Sequence, residues 1–308
     1  MFSRTPDTAL APPRLVETVT QADTVPGHVG IDQLIEIGGF VNALKTAVDD
    51  RLRLRPGHRV LDAGCGPAVD TLRLASAVGL TGLVVGVDID QQMLAFAKRR
   101  TSASAGSMRA TYAAADAVGL PFASDVFDAC RCERVLQHVE HPRLAVRETV
   151  RVVRPGGRVV LADSDWGSLS LHADEVPLER RIVHAVANSF RSGYVGRQLR
   201  ELCADAGLVD LDVSVWPVQW TSLATFRATS FMSAGIDRRI IEAGTISRDE
   251  WARFESNLER IDARRGFFAT ASIVIVAGTK SASTPAREGS LTFQFVQSVR
   301  GSSCASVS

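Results

Sequence analysis

Apolar positions along this chain switch between two periods, and the switching predicts its architecture. From residue 31 to about 54, Ile31, Leu34, Ile35, Ile37, Val41, Leu44, Val48 and Leu52 recur at helical spacing. Gly38-Gly39 interrupts or bends that helix, and Pro56-Gly57 resets the chain. Short apolar runs then alternate with helical patterns: strands over 59–63, 83–87, 109–115, 126–132 and 158–162, helices over 68–78, 91–100 and 142–153. Strict alternation of this kind predicts a parallel sheet with helices on both faces. Past Trp166 the order changes. Helices are expected over 179–190 and 196–206, then long strands over 208–220 and 268–278 that enclose an irregular helical segment, clearest over 248–264. The fold class is therefore α/β: a doubly wound, mostly parallel seven-stranded sheet with a C-terminal antiparallel strand pair and a helical insertion.

One domain is expected over 31–280, with the insertion at about 221–266 lying over the carboxyl end of the sheet. Residues 1–30 hold several prolines and no sustained period, and read as a loose arm. Residues 281–308 read as a flexible Ser- and Gly-rich tail, in which Leu291, Phe293 and Phe295 alternate as one extra strand would. The arm and the insertion are the candidate contacts of a homodimer. A formal net charge of +1, with no run of Lys or Arg, argues against a nucleic-acid or membrane-surface partner held by bulk electrostatics. The five cysteines are odd in number and scattered, as free thiols in a reducing cytosol would be. Neither a signal peptide nor an apolar run of membrane length stands out, so the protein is expected to be cytoplasmic.

The sharpest local signal is Val60-Leu61-Asp62-Ala63-Gly64-Cys65-Gly66-Pro67, a strand running into a tight glycine turn with proline at the start of a helix. Two glycines allow backbone to approach a ligand closely. Asp88 ends the next strand, where a carboxylate accepts hydrogen bonds from both hydroxyls of a ribose. A dinucleotide site would want a third glycine three residues after Gly66, and Val69 stands there. It also has no use for an acid at Asp62. A ligand with an adenosyl group and cationic sulfonium and ammonium centres does, because those charges favour nearby carboxylates.

These residues, with Ala115-Asp116-Ala117-Val118-Gly119-Leu120-Pro121-Phe122, Phe127-Asp128-Ala129, Val135-Leu136-Gln137-His138 and Val153-Arg154-Pro155-Gly156-Gly157-Arg158, occur in an order that resembles the class I S-adenosylmethionine-dependent methyltransferases. The sequence is most similar to the branch holding quinone-biosynthesis C-methyltransferases and natural-product methyltransferases. The resemblance spans roughly 55–220. It implies S-adenosyl-L-methionine as cofactor, with Gly64 and Gly66 in close backbone contact, Asp62 near the methionine amine and Asp88 on the ribose. It places Asp116 on the adenine amine, Ala117 beside it and Met93 against the ring, although a Met at helical spacing is commonly plain core.

Methyl transfer from a sulfonium is an in-line displacement with a neutral leaving group, so alignment supplies much of the rate. A base is needed only for an acceptor that loses a proton early, such as a phenol, alcohol or ring carbon. His138, just after the fourth strand, is the preferred base, since an imidazole titrates near neutral pH; a hydrogen-bonded structural histidine is the other reading. Asp163 and Asp165, after the fifth strand, orient substrate, act as base or cap the following segment. Trp166 and Tyr194 are candidate walls of the acceptor pocket, with core packing the alternative. No metal site is expected. Cys132-Glu133-Arg134 stands in place of the Asn/Asp-Pro-Pro-aromatic run of enzymes that methylate amide-like nitrogens, and the only lysines are Lys45, Lys98 and Lys280, too few for a ribose-methylating tetrad. Elimination leaves a small, aromatic or polyketide-like acceptor, and the resemblance implies a secondary metabolite or quinone-like compound. The alternative is a cyclase or isomerase using the same bound cofactor without transferring its methyl, because a fold does not dictate chemistry.

Overall fold

A computed structural model describes residues 30–103, 109–230, 232 and 235–282. The arm, the tail and its candidate extra strand lie outside the described residues, save Gly30, Ser281 and Ala282. Two helices open the fold, α1 (Ile31–Phe40) and α2 (Asn42–Arg51). The break falls at Val41, after the Gly38-Gly39 pair that suggested it, and Val41 itself is buried.

The sheet is built from β1 (Arg59–Ala63), β2 (Leu83–Asp88), β3 (Ala110–Ala114), β4 (Phe127–Glu133), β5 (Val153–Leu171), β6 (Leu208–Trp220) and β7 (Ala269–Lys280). Its spatial order is β3-β2-β1-β4-β5-β7-β6, with β7 antiparallel to both its neighbours. Around the sheet run α3 (Val69–Val78), α4 (Gln91–Ala103), α5 (Pro142–Val152), α6 (Val176–Ser189) and α7 (Val195–Asp205). Between β6 and β7 come α8 (Leu223–Thr229), α9 (Ile236–Glu242) and α10 (Arg248–Ala263). The last opens on a capping box, Ser247 and Glu250 each bonding the other's backbone N–H. Among the described residues no helix is long and apolar enough to cross a membrane.

Strand order reverses direction between β1 and β4, which opens a crevice at the carboxyl ends of those strands. Alternation sorts side chains between the two faces. Val60, Ala129 and Val160 enter one core beneath α2, α3 and α6, while Leu61, Cys130 and Leu161 enter the other beneath α5 and α7. By the same alternation Asp62 and Arg131, directly paired in register, share the first face. The four cysteines among the described residues are buried and form no disulfide.

β5 runs far past the expected 158–162. Its polar extension, Asp163 to Leu171, pairs with β7 across a register shift between Asp165 and Ser170. A run such as Ser-Asp-Trp-Gly-Ser reads as loop in isolation, but an antiparallel partner gives its backbone groups a ladder to join. The result is a wall of β5, β7 and β6 standing above the carboxyl edge of the parallel strands.

Candidate active site

Three left-handed residues in quick succession shape the loop after β1: Gly64 at φ +74°, Gly66 at +50° and Ala68 at +60°. The N–H groups of Gly64 and Cys65 donate to the Val87 carbonyl at 2.8 and 2.9 Å, tying the loop to β2. The glycines serve different ends. A β-carbon on Gly64 would lie 2.1 Å from Val135 Cγ2, so bareness there is demanded by packing. At Gly66 the nearest atom is Leu34 Cδ1, 3.9 Å away, and the open side faces the cleft beneath α1.

Asp88 stands on the rim of that cleft. Its Oδ2 accepts from Gly66 N–H at 2.8 Å and its Oδ1 from Asp90 N–H at 2.9 Å, which fixes the plane of the carboxylate. Each carboxylate oxygen accepts more than one hydrogen bond, so the oriented group is also suited to ribose hydroxyls. Asp90 is committed to the start of α4, accepting from Gln92 N–H at 2.7 Å and Met93 N–H at 3.4 Å. Asp116 accepts from Val118 N–H at 3.1 Å in an Asx turn. Met93, Asp116 and Ala117 line the same cavity as Asp88 and Gly66. Cys65 also borders it, but burial pushes its thiol far up, so it is no nucleophile.

Asp62 does not face this cavity, contrary to expectation. Alternation turns it onto the face beneath α2 and α3, where it is fully buried and accepts from Thr71 Oγ1 at 2.6 Å and Arg131 Nη1 at 3.1 Å. Arg131 is the centre of an ionic cluster that the sequence reading missed. Besides Asp62, its guanidinium pairs with Glu133, reaches Asp70 at 3.1 Å and lies 3.6 Å from Asp49. Lys45 of α2 pairs with Asp70 and sits 3.5 Å from Glu133. Burial alone would favour loss of the Arg131 proton, yet Glu133, Asp70, Asp62 and Asp49 outweigh it and hold the group charged. Burial likewise raises Asp70, but Arg131 and Lys45 overcome it and bring the carboxyl to about 2. Burial wins at Asp49, which is pushed up to about 6 against Arg131 and Arg73. With Asp62 turned away, Asp70 and Glu133 are the acids of this cluster that border the cavity. A charge within a strand pattern, at Arg131, was the available signal; its neutralisation by α2 and α3 lay in tertiary structure.

Beyond β4 a 3₁₀ turn over Leu136–His138 brings His138 to the cavity. Trp166 Nε1 donates to Gln137 Oε1 at 2.8 Å, and Gln137 Nε2 lies 3.0 Å from His138 Nε2. An indole N–H only donates, so the amide oxygen faces Trp166 and the amide nitrogen faces the histidine. His138 Nε2 is thereby the acceptor in the neutral ring, which assigns its proton to Nδ1. Gln137 was not singled out from sequence. Trp166 lines the cavity as expected and stacks on Phe190 at 4.9 Å and 10°. Asp165 and Tyr194 do not line it. Asp165 is 7% exposed and accepts from Arg197 Nε at 2.8 Å, while the Tyr194 ring packs under the Arg197 guanidinium and its hydroxyl donates to Asn188. The continuation of β5 as strand aims Asp165 away from the cleft, and both residues serve to hold α7.

Asp163 supports the turn from behind. Its carboxyl accepts from Leu136 N–H at 2.7 Å, Gln137 N–H at 3.3 Å and Ser164 N–H at 2.8 Å. Burial outweighs these bonds and pushes its pKa from 3.8 up to about 7. Between those values the folded chain holds a proton that the unfolded chain has released. The associated stability is full below pH 4 and is lost as pH rises through 7. Denaturant unfolding should therefore show the advantage of wild type over Asp163→Asn falling by roughly 2 kcal/mol between pH 5 and 7. A pH-independent difference would contradict this assignment.

The whole cleft has a volume of about 1330 Å³. A pocket for one small ligand spans roughly 300–1,000 Å³, so there is room for two molecules side by side. The donor set fits an adenosyl sulfonium: acceptors for ribose and adenine at Asp88 and Asp116, open space over Gly66, and carboxylates rather than a phosphate cradle near the loop.

Comparison with known proteins agrees with that geometry. Residues 61–161 match the family model described as a methyltransferase domain. Methyltransferase GfsG of Streptomyces halstedii is 34% identical over 138 residues, 45% of this chain and 48% of that protein. Demethylmenaquinone methyltransferase of Clavibacter sepedonicus is 30% identical over 198 residues, 62% of this chain and 71% of that protein. The chain spans about half the length of the first curated relatives it matches. Among solved structures, the YcgJ protein of Bacillus subtilis superposes with a TM-score of 0.56 at 20% identity, covering 79% of this chain and 100% of that one, a likeness of fold. With its seven-stranded mixed sheet, glycine loop and acid-lined crevice, this chain belongs to the class I S-adenosylmethionine-dependent methyltransferases.

Proposed function

We propose that this protein transfers the methyl group of S-adenosylmethionine to a small organic acceptor. The observation that supports the reading is a single cavity bordered by Gly66, Asp88 and Asp116 at one end and by His138 and Trp166 at the other. The relatives named above are methyltransferases, one acting on demethylmenaquinone by its name.

When bound, the cofactor supplies an electrophilic methyl on a sulfonium that departs neutral. The residues of this chain have three tasks. Asp88 takes the ribose hydroxyls, Asp116 and Ala117 take the adenine edge, and Met93 packs on the ring. Asp70 and Glu133 border the cavity as ion pairs with Lys45 and Arg131, so this stretch of the lining adds no net charge. Trp166 and the wall of β7 and β6 hold the acceptor in line and exclude water, and such alignment accounts for much of the rate. For a hydroxyl or ring-carbon acceptor, His138 receives the departing proton at Nε2, with the Gln137 amide turning from that nitrogen as it does.

The test is isotope transfer. Protein, methyl-labelled cofactor and a small-molecule extract are incubated, and products are read by mass. A labelled product one methyl heavier supports the reading; conversion without added methyl would favour a cyclase or isomerase and overturn it. In the same assay His138→Ala should lower the initial rate on a hydroxyl or carbon acceptor by about 10²–10⁴-fold while affinity for S-adenosylhomocysteine stays within about twofold. An undiminished rate would reduce His138 to a structural role.

A further inference from the structure

The two halves of the cleft differ in charge. The acids Asp88, Asp90 and Asp116 border it on the β2 and β3 side. Lys45, Arg131 and Arg134 border it as partners of Asp70 and Glu133, and Glu140 and Arg191 complete its charged lining apart from α9. Sheet order puts β7 and β6 at the far side, and there the bordering side chains are aromatic, aliphatic and basic, with the hydroxyls of Thr229, Ser230 and Ser272 among them and no carboxylate from β6, β7 or the helices between them. Phe40 stacks on Trp220 at 5.8 Å and 16°, and the Trp220 indole is held by Nε1 donating to Thr229 Oγ1 at 2.8 Å. With the parallel pair Trp166–Phe190, this gives the far half two flat apolar surfaces.

Arg238 and Arg239 of α9 border the same half. Neither is in an ion pair among the described residues, whereas Arg227 on α8 is paired with Glu255 and Glu259 of α10. The acids that flank them on α9, Asp237 and Glu242, do not border the cavity. Cations that face a cavity without an internal counter-ion favour an anion arriving with the ligand.

We propose that the methyl acceptor is an anionic amphiphile, with an apolar, flat body against the Phe40–Trp220 and Trp166–Phe190 pairs and a carboxylate or phosphate group held by Arg238 and Arg239. The proposal rests on the methyltransferase reading and adds the class of its acceptor. It also gives the insertion between β6 and β7 a task, the supply of the anion-binding end.

The test compares probes with one ring system and different head groups. Naphthol, naphthoate and naphthyl phosphate are titrated calorimetrically into protein saturated with S-adenosylhomocysteine. At least one anionic probe should bind about tenfold or more tightly than naphthol. The preference should vanish in Arg238→Ala/Arg239→Ala, with affinity for S-adenosylhomocysteine unchanged within about twofold. It should also vanish for wild type at about 1 M salt, where the Debye length is about 3 Å. Whichever anion binds more tightly identifies the head group. Equal affinities for neutral and anionic probes, a preference that survives the double substitution, or no probe binding to protein that holds S-adenosylhomocysteine would each overturn the proposal alone. Failure of S-adenosylhomocysteine itself to bind would overturn the parent reading and this one with it.

Discussion

Asp88→Ala is expected to weaken binding of S-adenosylhomocysteine by at least about a hundredfold in a calorimetric titration. Two losses combine. The ribose hydroxyls lose a charged acceptor, and hydrogen bonds to ionised groups contribute about 1.5–3 kcal/mol each. The loop also loses its tether, because the same carboxylate accepts from Gly66 N–H and Asp90 N–H. Asp88→Asn retains one acceptor oxygen and should fall between wild type and the alanine variant. An alanine variant that binds as wild type would remove the ribose role.

Arg131→Met is expected to cost stability on a scale no other single side chain of the site approaches. The guanidinium is 3% exposed and neutralises Asp62, Asp70 and Glu133 together. Removing one partner of a buried ion pair typically costs about 3–5 kcal/mol, since the remaining charges are stranded. Lys45 still reaches Asp70 and Glu133, but among the described residues no other cation is paired with Asp62. Thermal unfolding should shift down on the order of 10 °C. The double variant Asp62→Leu/Arg131→Met removes the most deeply buried acid of the cluster with its counter-ion and should recover part of the loss, a coupling above about 1 kcal/mol. Additive losses, or a single variant as stable as wild type, would show that α2 and α3 do not depend on this cluster.

The same cluster shows where reading the chain reached its limit. The sheet was legible because short apolar runs such as those of β1, β2 and β4 recur between helical patterns and glycine or proline turns, and the loop at Gly64 and Gly66 stood out by spacing alone. Asp88 was legible as the acid ending a strand, whereas Met93, Asp116 and Ala117 came from the family resemblance; all four border the one cavity. Asp62 was assigned to the cofactor by its charge and by family pattern, but which way it turns depends on the pleat of β1 and on its register with Arg131. That pairing involves residues 69 positions apart, and no local period reveals it. Asp165 and Tyr194 failed for a related reason. The residues after Ala162 are polar enough to read as a loop, whereas pairing with β7 keeps them in strand geometry and sends Asp165 to Arg197. His138 and Trp166 border the cleft, while Gln137, the amide joining them, had no signal beyond its neighbours.

The most direct test of the central claim is a crystal structure of the protein with S-adenosylhomocysteine bound. The ribose hydroxyls should lie within hydrogen-bond distance of Asp88, the adenine amine beside Asp116 with Met93 on the ring, and the sulfur should point toward Trp166 and His138. Adenine seated among the aromatic residues of β6, or a ligand bound away from the Gly66 loop, would contradict the account.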